Sequence, residues 1–204
     1  MVITCSTASV HTYAHDRVVD VLAELSKAAG LDVIKEPYGY TKEGFKRPDL
    51  KVGGFLENGK ELLLDFTTID PASISVLNAT RRSCDYVGSA AAIAGERKRK
   101  KFQGSYDESL YEFMPLVMET GGRMDNNLKN FIQKTAEIAA KNSSHEAQAV
   151  KFAEKASYYW KQRVAVAAAK GFAESAVQNF RTIASRRNGK GGELEDPFIP
   201  WVDW

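Results

Sequence analysis

Residues Arg47 to Thr68 read RPDLKVGGFLENGKELLLDFTT. The stretch predicts two short strands joined by a turn. The first runs from Asp49 to Phe55, just after Pro48. The second, Glu61 to Thr67, carries the apolar run Leu62-Leu63-Leu64 and then Asp65. Asn58-Gly59 between them is a hairpin signal, because both residues tolerate positive φ. Asp49 opens one strand and Asp65 ends its antiparallel partner. Both carboxylates are therefore expected at one end of the sheet. Two such groups a few ångströms apart repel unless a proton or a cation lies between them. A hard divalent cation suits oxygen ligands of this kind.

The rest of the chain supplies a scaffold for this hairpin. At 204 residues it is long enough for one domain, or one domain with a helical extension. Apolar residues make up 44% and charged residues 26%, as in ordinary globular proteins. The net charge of +2 does not announce a polyanion partner, so that argument must rest on local clusters. Cys5 and Cys84 are far apart and show no ligand spacing, which fits two free thiols in a reducing compartment. No apolar stretch reaches membrane-spanning length, and no basic region with an apolar core opens the chain. An intracellular protein, nuclear or cytoplasmic and without a membrane partner, is expected.

In chain order, an amphipathic helix is predicted from Thr12 to Ala29. Val18, Val19, Leu22 and Leu25 recur at helical spacing, with Thr12 as N-cap and Gly30 just past the end. His11 and His15 lie four apart and can share a helical face. They are read as a metal pair or as capping and surface residues. Leu31 to Glu36 predicts a strand stopped by Pro37. After the hairpin, residues 70 to 83 read as a loop with one helical turn. A helix follows from Ser83 or Asp85 to Phe102, ending in five consecutive cations, Arg97 to Lys101. Such a run can be a solvated helix end, favourable charge at a helix C-terminus, a nuclear import signal or a nonspecific basic patch. Tyr111 to Thr120 predicts the last strand.

From Asp125 to Arg187 the pattern is helical. Leu128, Phe131, Ile132, Ala136 and Ile138-Ala139 form one apolar stripe. Residues 145 to 187 predict one long helix or two stacked ones, with Gly171 the weakest point. Phe152, Tyr159, Trp160, Val164, Val166, Phe172, Val177 and Phe180 are expected in the core. Lys161, Arg163, Lys170, Arg181, Arg186 and Arg187 add positive charge. The last residues, ELEDPFIPWVDW, are acidic and aromatic, and are expected to dock on the domain or on a second subunit.

Pro48-Asp49, then Asp65 sixteen residues later after an apolar strand, resembles the PD-(D/E)xK nuclease superfamily. The wider pattern is similar to the restriction-like endonuclease domains of non-LTR retrotransposons and related retroelement-derived proteins. The run FMPLVMETGG, Phe113 to Gly122, resembles the matching segment of those domains. The resemblance implies an α/β fold with a restriction-endonuclease-like αβββαβ core and a C-terminal helical extension. It implies a core over 1–122, a helical extension over 123–188 and an acidic aromatic tail over 189–204. It further implies a metal-dependent endonuclease acting on DNA with Mg²⁺ or Mn²⁺. Asp49 and Asp65 would hold the metal, helped by the Phe66 carbonyl and an upstream acid. Glu36 is that candidate and Glu24 the runner-up. The family carries a lysine two residues after the second acid. Here that position is Thr67. In the retroelement domains a following helix supplies the lysine through K-x-x-K and an aromatic residue, which Lys98, Lys101 and Phe102 match. Arg47, Arg97, Lys98 and Lys101 are then the candidate DNA contacts. The alternative is a catalytically silent relative that binds nucleic acid or assembles with other proteins. The expected partners are DNA and, as a homodimer, a second copy of the chain.

Overall fold

A computed structural model describes residues 10–40, 47–72, 86–143 and 149–187. Within them lie helix α1 (Val10–Ala28), strands β1 (Asp32–Lys35), β2 (Leu50–Gly53) and β3 (Glu61–Ile69), helix α2 (Ser89–Phe102), strand β4 (Tyr111–Glu119), and helices α3 (Asn126–Asn142) and α4 (Ala149–Arg187). The strands form one mixed sheet in the order β1-β2-β3-β4. β1 and β2 pair antiparallel, as do β2 and β3, whereas β3 and β4 run parallel. The mixed α/β architecture and the C-terminal helices agree with the sequence reading.

Alternation along β3 sorts its side chains between two layers. Leu62, Leu64 and Phe66 join the main core with Val18, Leu22 and Leu25 of α1 and Leu128, Phe131 and Ile132 of α3. On the other face, Val117 of β4 packs against Ala91 and Ala94 of α2. The sheet is thus sandwiched between α2 and the α1–α3 pair. Asp65 has the parity of the α2 face, which decides where its carboxylate can go.

The element ends follow local chemistry. α1 begins at Val10, so Thr12 is not its N-cap as expected. Val10, Ala14 and Val18 continue the helical repeat one turn further back. At its other end Gly30 N–H donates to Lys27 and Leu31 N–H to Ser26, a paired C-terminal closure, and Asn142 of α3 donates to the Ala29 carbonyl. Asn58-Gly59 lies in a turn with Gly59 at φ 77°, but within a seven-residue connection, 54–60, rather than a two-residue hairpin loop. α2 starts later than expected, behind Gly88 at φ 92°. The expected loop and helical turn, the start of that helix at Ser83 or Asp85, and the C-terminal tail fall largely or wholly outside the described residues.

α4 runs unbroken for 39 residues and packs on α1 and α3. Val164 is buried, and Trp160 and Phe172 are half-buried against the core. Phe152, Tyr159, Val166, Val177 and Phe180 are exposed instead, because the core side of α4 is taken by Ala153, Ser157, Ala168 and Ser175. Gly171 is not a weak point. A Cβ there would lie 2.3 Å from Ala14 Cα, so glycine permits backbone contact between α4 and α1. No helix among the described residues is long and apolar enough to cross a membrane.

At an open helical site, Gly→Ala stabilises by about 1 kcal/mol. Gly171→Ala should instead destabilise by about 1–3 kcal/mol or more, because the methyl must push two helices apart. Urea unfolding measures this, and a rise in stability would refute the close packing.

Candidate functional site

The site lies where β2 and β3 stop pairing. The register sets Leu50 opposite Leu64, so one step further sets Asp49 opposite Asp65. Asp49 N–H donates to Leu64 at 2.9 Å, and its carbonyl accepts from Glu36 N–H at 2.8 Å. Its carboxylate turns back along the strand end, where Oδ2 accepts from Phe66 N–H at 2.6 Å. The same oxygen lies 3.1 Å from His15 Nε2. The His15 ring packs on Phe66, with centroids 5.8 Å apart.

Asp65 is 4% exposed and forms an ion pair with Lys98 of α2. The ammonium contacts Oδ2 directly. Burial, and then the charge of Asp49, push the Asp65 carboxyl above its ordinary value. Lys98 and, more weakly, Lys101 pull it back. His15 is also buried, which opposes its charge. Asp49 and Asp16 outweigh that cost and raise its pKa from 6.5 to about 9. Each acid thus has a cation beside it, Lys98 from α2 and His15 from α1.

The structure brings together Asp49, Asp65 and Lys98, with Lys101 within electrostatic reach of Asp65. It does not bring in Glu36. That side chain is exposed and pairs with Arg47 at 2.9 Å. Glu36 has φ 46°, the one non-glycine positive φ among the described residues, and sits just before Pro37. Left-handed backbone turns it out of the line of β1. Arg47 is correspondingly engaged with Glu36. Glu24, the runner-up, pairs with Arg163 at 2.8 Å. Arg97 is exposed, while Arg99 and Lys100 lie near Glu96. The Thr67 hydroxyl is 3.5 Å from the Thr68 carbonyl and supplies no charge.

His15 is the residue whose place the sequence did not reveal. Its signal was its position, three and four residues before Val18 and Val19 on the buried stripe of α1. A polar residue continuing an apolar stripe past the core meets whatever lies at the core's edge.

Among the described residues, no three His, Cys, Asp or Glu side chains gather in a metal-binding group. The donor set still fits a hard cation at the two aspartates, because burial and the neighbouring Asp49 charge both oppose the ionised Asp65, and added positive charge offsets both. No protein-family model matches the chain, and no curated protein matches it significantly.

The raised His15 and Asp65 pKa values make a prediction about stability. Above pH 6.5 the unfolded imidazole loses its proton while the folded one keeps it until about pH 9. The folded state then binds more protons, so stability falls as pH rises across that window. Asp65, also raised, acts in the same direction at lower pH. The His15 contribution lost by pH 9 should be on the order of 1–3 kcal/mol. Denaturation of wild type and His15→Gln at both ends of the window checks it, and equal slopes in the two proteins would contradict it.

Proposed function

We propose that the protein is a metal-dependent endonuclease of the PD-(D/E)xK kind, hydrolysing phosphodiester bonds in DNA. The observation that carries this reading is the convergence of Asp49, Asp65 and Lys98 at one sheet end, from three elements of the chain. The element order α1-β1-β2-β3-α2-β4 and the single mixed sheet agree with the αβββαβ core that the resemblance implies.

In this reading Asp49 and Asp65 hold Mg²⁺ or Mn²⁺. The bound ion polarises the scissile phosphate and lowers the pKa of an attacking water. The chain's own residues do the rest. Phe66 N–H and His15 fix the Asp49 carboxylate by converging on Oδ2. Lys98 delivers the ammonium that Thr67 cannot, from a helix rather than from the strand. There it stabilises charge developing on the phosphate. Lys101 and the exposed Arg97 lie on the same helix end and attract the DNA backbone.

The silent-relative reading is favoured by one observation: each acid already has a cation partner, and among the described residues no third acid joins them. A site balanced in this way holds its shape without a metal. Plasmid nicking separates the two readings. The nuclease should cleave with Mg²⁺ or Mn²⁺ and not with a chelator. Asp49→Asn and Asp65→Asn should fall to background, and Lys98→Ala should lose about 10²–10³-fold in rate while keeping DNA affinity. Lys100→Ala, on another face, should cleave like wild type. DNA binding without cleavage under any divalent ion would leave the silent relative as the answer. Binding itself should weaken with salt at a slope of about 0.9 per neutralised phosphate, and a flat salt profile would argue against backbone contacts.

A further inference from the structure

Asp49 and Asp65 carry two negative charges, and the chain sets a cation against each. The two cations are held differently. His15 is fixed from several sides: Nε2 lies 3.1 Å from Asp49 Oδ2, Nδ1 lies 3.1 Å from Asp16 Oδ1, and the ring packs on Phe66. It also follows Ala14, the residue against which Gly171 of α4 packs. Lys98 makes a single ion pair among the described residues, with Asp65 Oδ2. Its side chain is 23% exposed, against 5% for that of Asp65. The ammonium can therefore swing into water on its own stem, and the carboxylate cannot follow it.

A buried carboxylate does not give up its cation unless another replaces it. A hard divalent cation at the two aspartates would be such a replacement, and it would seek the same oxygens as the ammonium. The charges do not allow both. Two carboxylates neutralise one divalent ion. An ammonium left in contact would be repelled about twice as strongly as by a second ammonium at the same distance. Of the two cations beside the acids, Lys98 is the one free to leave.

We infer that Lys98 is an exchangeable counter-ion: a divalent cation seated at Asp49 and Asp65 takes its place on Asp65 and releases the ammonium. The inference rests on the reading of the two aspartates as metal ligands. The release is confined to one side chain. α2 is pinned on both sides of Lys98, by Ala91 and Ala94 against Val117 and by Phe102 stacked on Phe113 with centroids 4.5 Å apart. The helix stays seated, so the freed ammonium remains at the rim of the site, where a phosphate would lie. The lysine thus becomes available to a phosphate only once the metal is seated. Without metal, the same ammonium keeps the buried acid paired. A purely structural lysine would instead stay on Asp65, whatever else bound nearby.

The full chain and Mn²⁺ alone suffice to test this. Without metal, Lys98 should react slowly with an acylating reagent. Saturating Mn²⁺ should raise its labelling several-fold, read by peptide mass spectrometry, whereas Lys100, 73% exposed, should label readily in both states. Lys98→Ala and Lys98→Met, the second keeping an apolar stem, remove the competitor. Both should bind Mn²⁺ at least about tenfold more tightly than wild type in calorimetry. Both should melt below wild type without metal, and Mn²⁺ should close that gap. Unchanged Lys98 labelling, or no gain in Mn²⁺ affinity in either variant, overturns the exchange. So does an absence of Mn²⁺ binding in all three proteins. Plasmid nicking keeps the two claims apart. If wild type nicks DNA while Lys98 labelling is unchanged, the exchange falls and the nuclease reading stands. If labelling and affinity shift as expected but nothing is nicked, the exchange stands and the nuclease reading falls.

Discussion

Asp65 is the constraint on which the site depends. A carboxylate at the end of a buried strand, 4% exposed, cannot remain uncompensated. The sheet supplies no cation on that strand, because Thr67 stands two residues on. α2 must therefore lie across the sheet so that Lys98 reaches the acid. The small residues Ala91 and Ala94 let the helix pack closely on Val117, and the same helix carries Lys98 one turn beyond Ala94. Packing and charge thus place α2 together. The apolar contact fixes the helix, and the ammonium it brings makes the buried carboxylate tolerable.

Much of this was legible in the sequence because it depends on local pattern. The apolar run Leu62-Leu63-Leu64 between turn residues and Asp65 defined β3. The opposed ends of β2 and β3 put Asp49 and Asp65 together, and three-residue spacing put Lys98 and Lys101 on one helix. What the sequence concealed depends on backbone turns and on packing across the chain. Glu36 fits an upstream ligand by its distance from Asp49, yet a single left-handed φ before Pro37 sends its side chain to Arg47. His15 lies 34 residues from Asp49, and no local pattern links them. On α4 the sequence suggested a larger core than forms: Val164, Trp160 and Phe172 pack inward, and alanine, serine and glycine fill the rest of that side, which permits close approach to α1.

A lysine on a helix differs physically from one on the strand. Strand position fixes a side chain through the sheet ladder, whereas Lys98 reaches Asp65 through a flexible stem from an element held by apolar packing. Its position is therefore sensitive to how α2 seats on β4. The Asp49 end has the opposite character. Two donors, Phe66 N–H and His15, lock Oδ2 through the backbone and through α1. The two acids are thus held unequally, one rigidly by hydrogen bonds and one by an ion pair that can rearrange.

That rigidity traces to the outermost helix. Gly171 of α4 lies against Ala14 and the Tyr13 carbonyl carbon of α1, so closely that no Cβ fits. The next residue is His15. Backbone contact between helices fixes rotation as well as distance, because a turn of either helix would drive a side chain into the gap. Arg17 and Glu174, on the same two helices, add a hydrogen-bonded ion pair one turn away. α4 touches neither aspartate. It nevertheless sets the rotation of α1, α1 sets the direction of the His15 ring, and His15 holds Asp49. The C-terminal helix is in this sense part of the site's support, and the residue at its contact must be glycine.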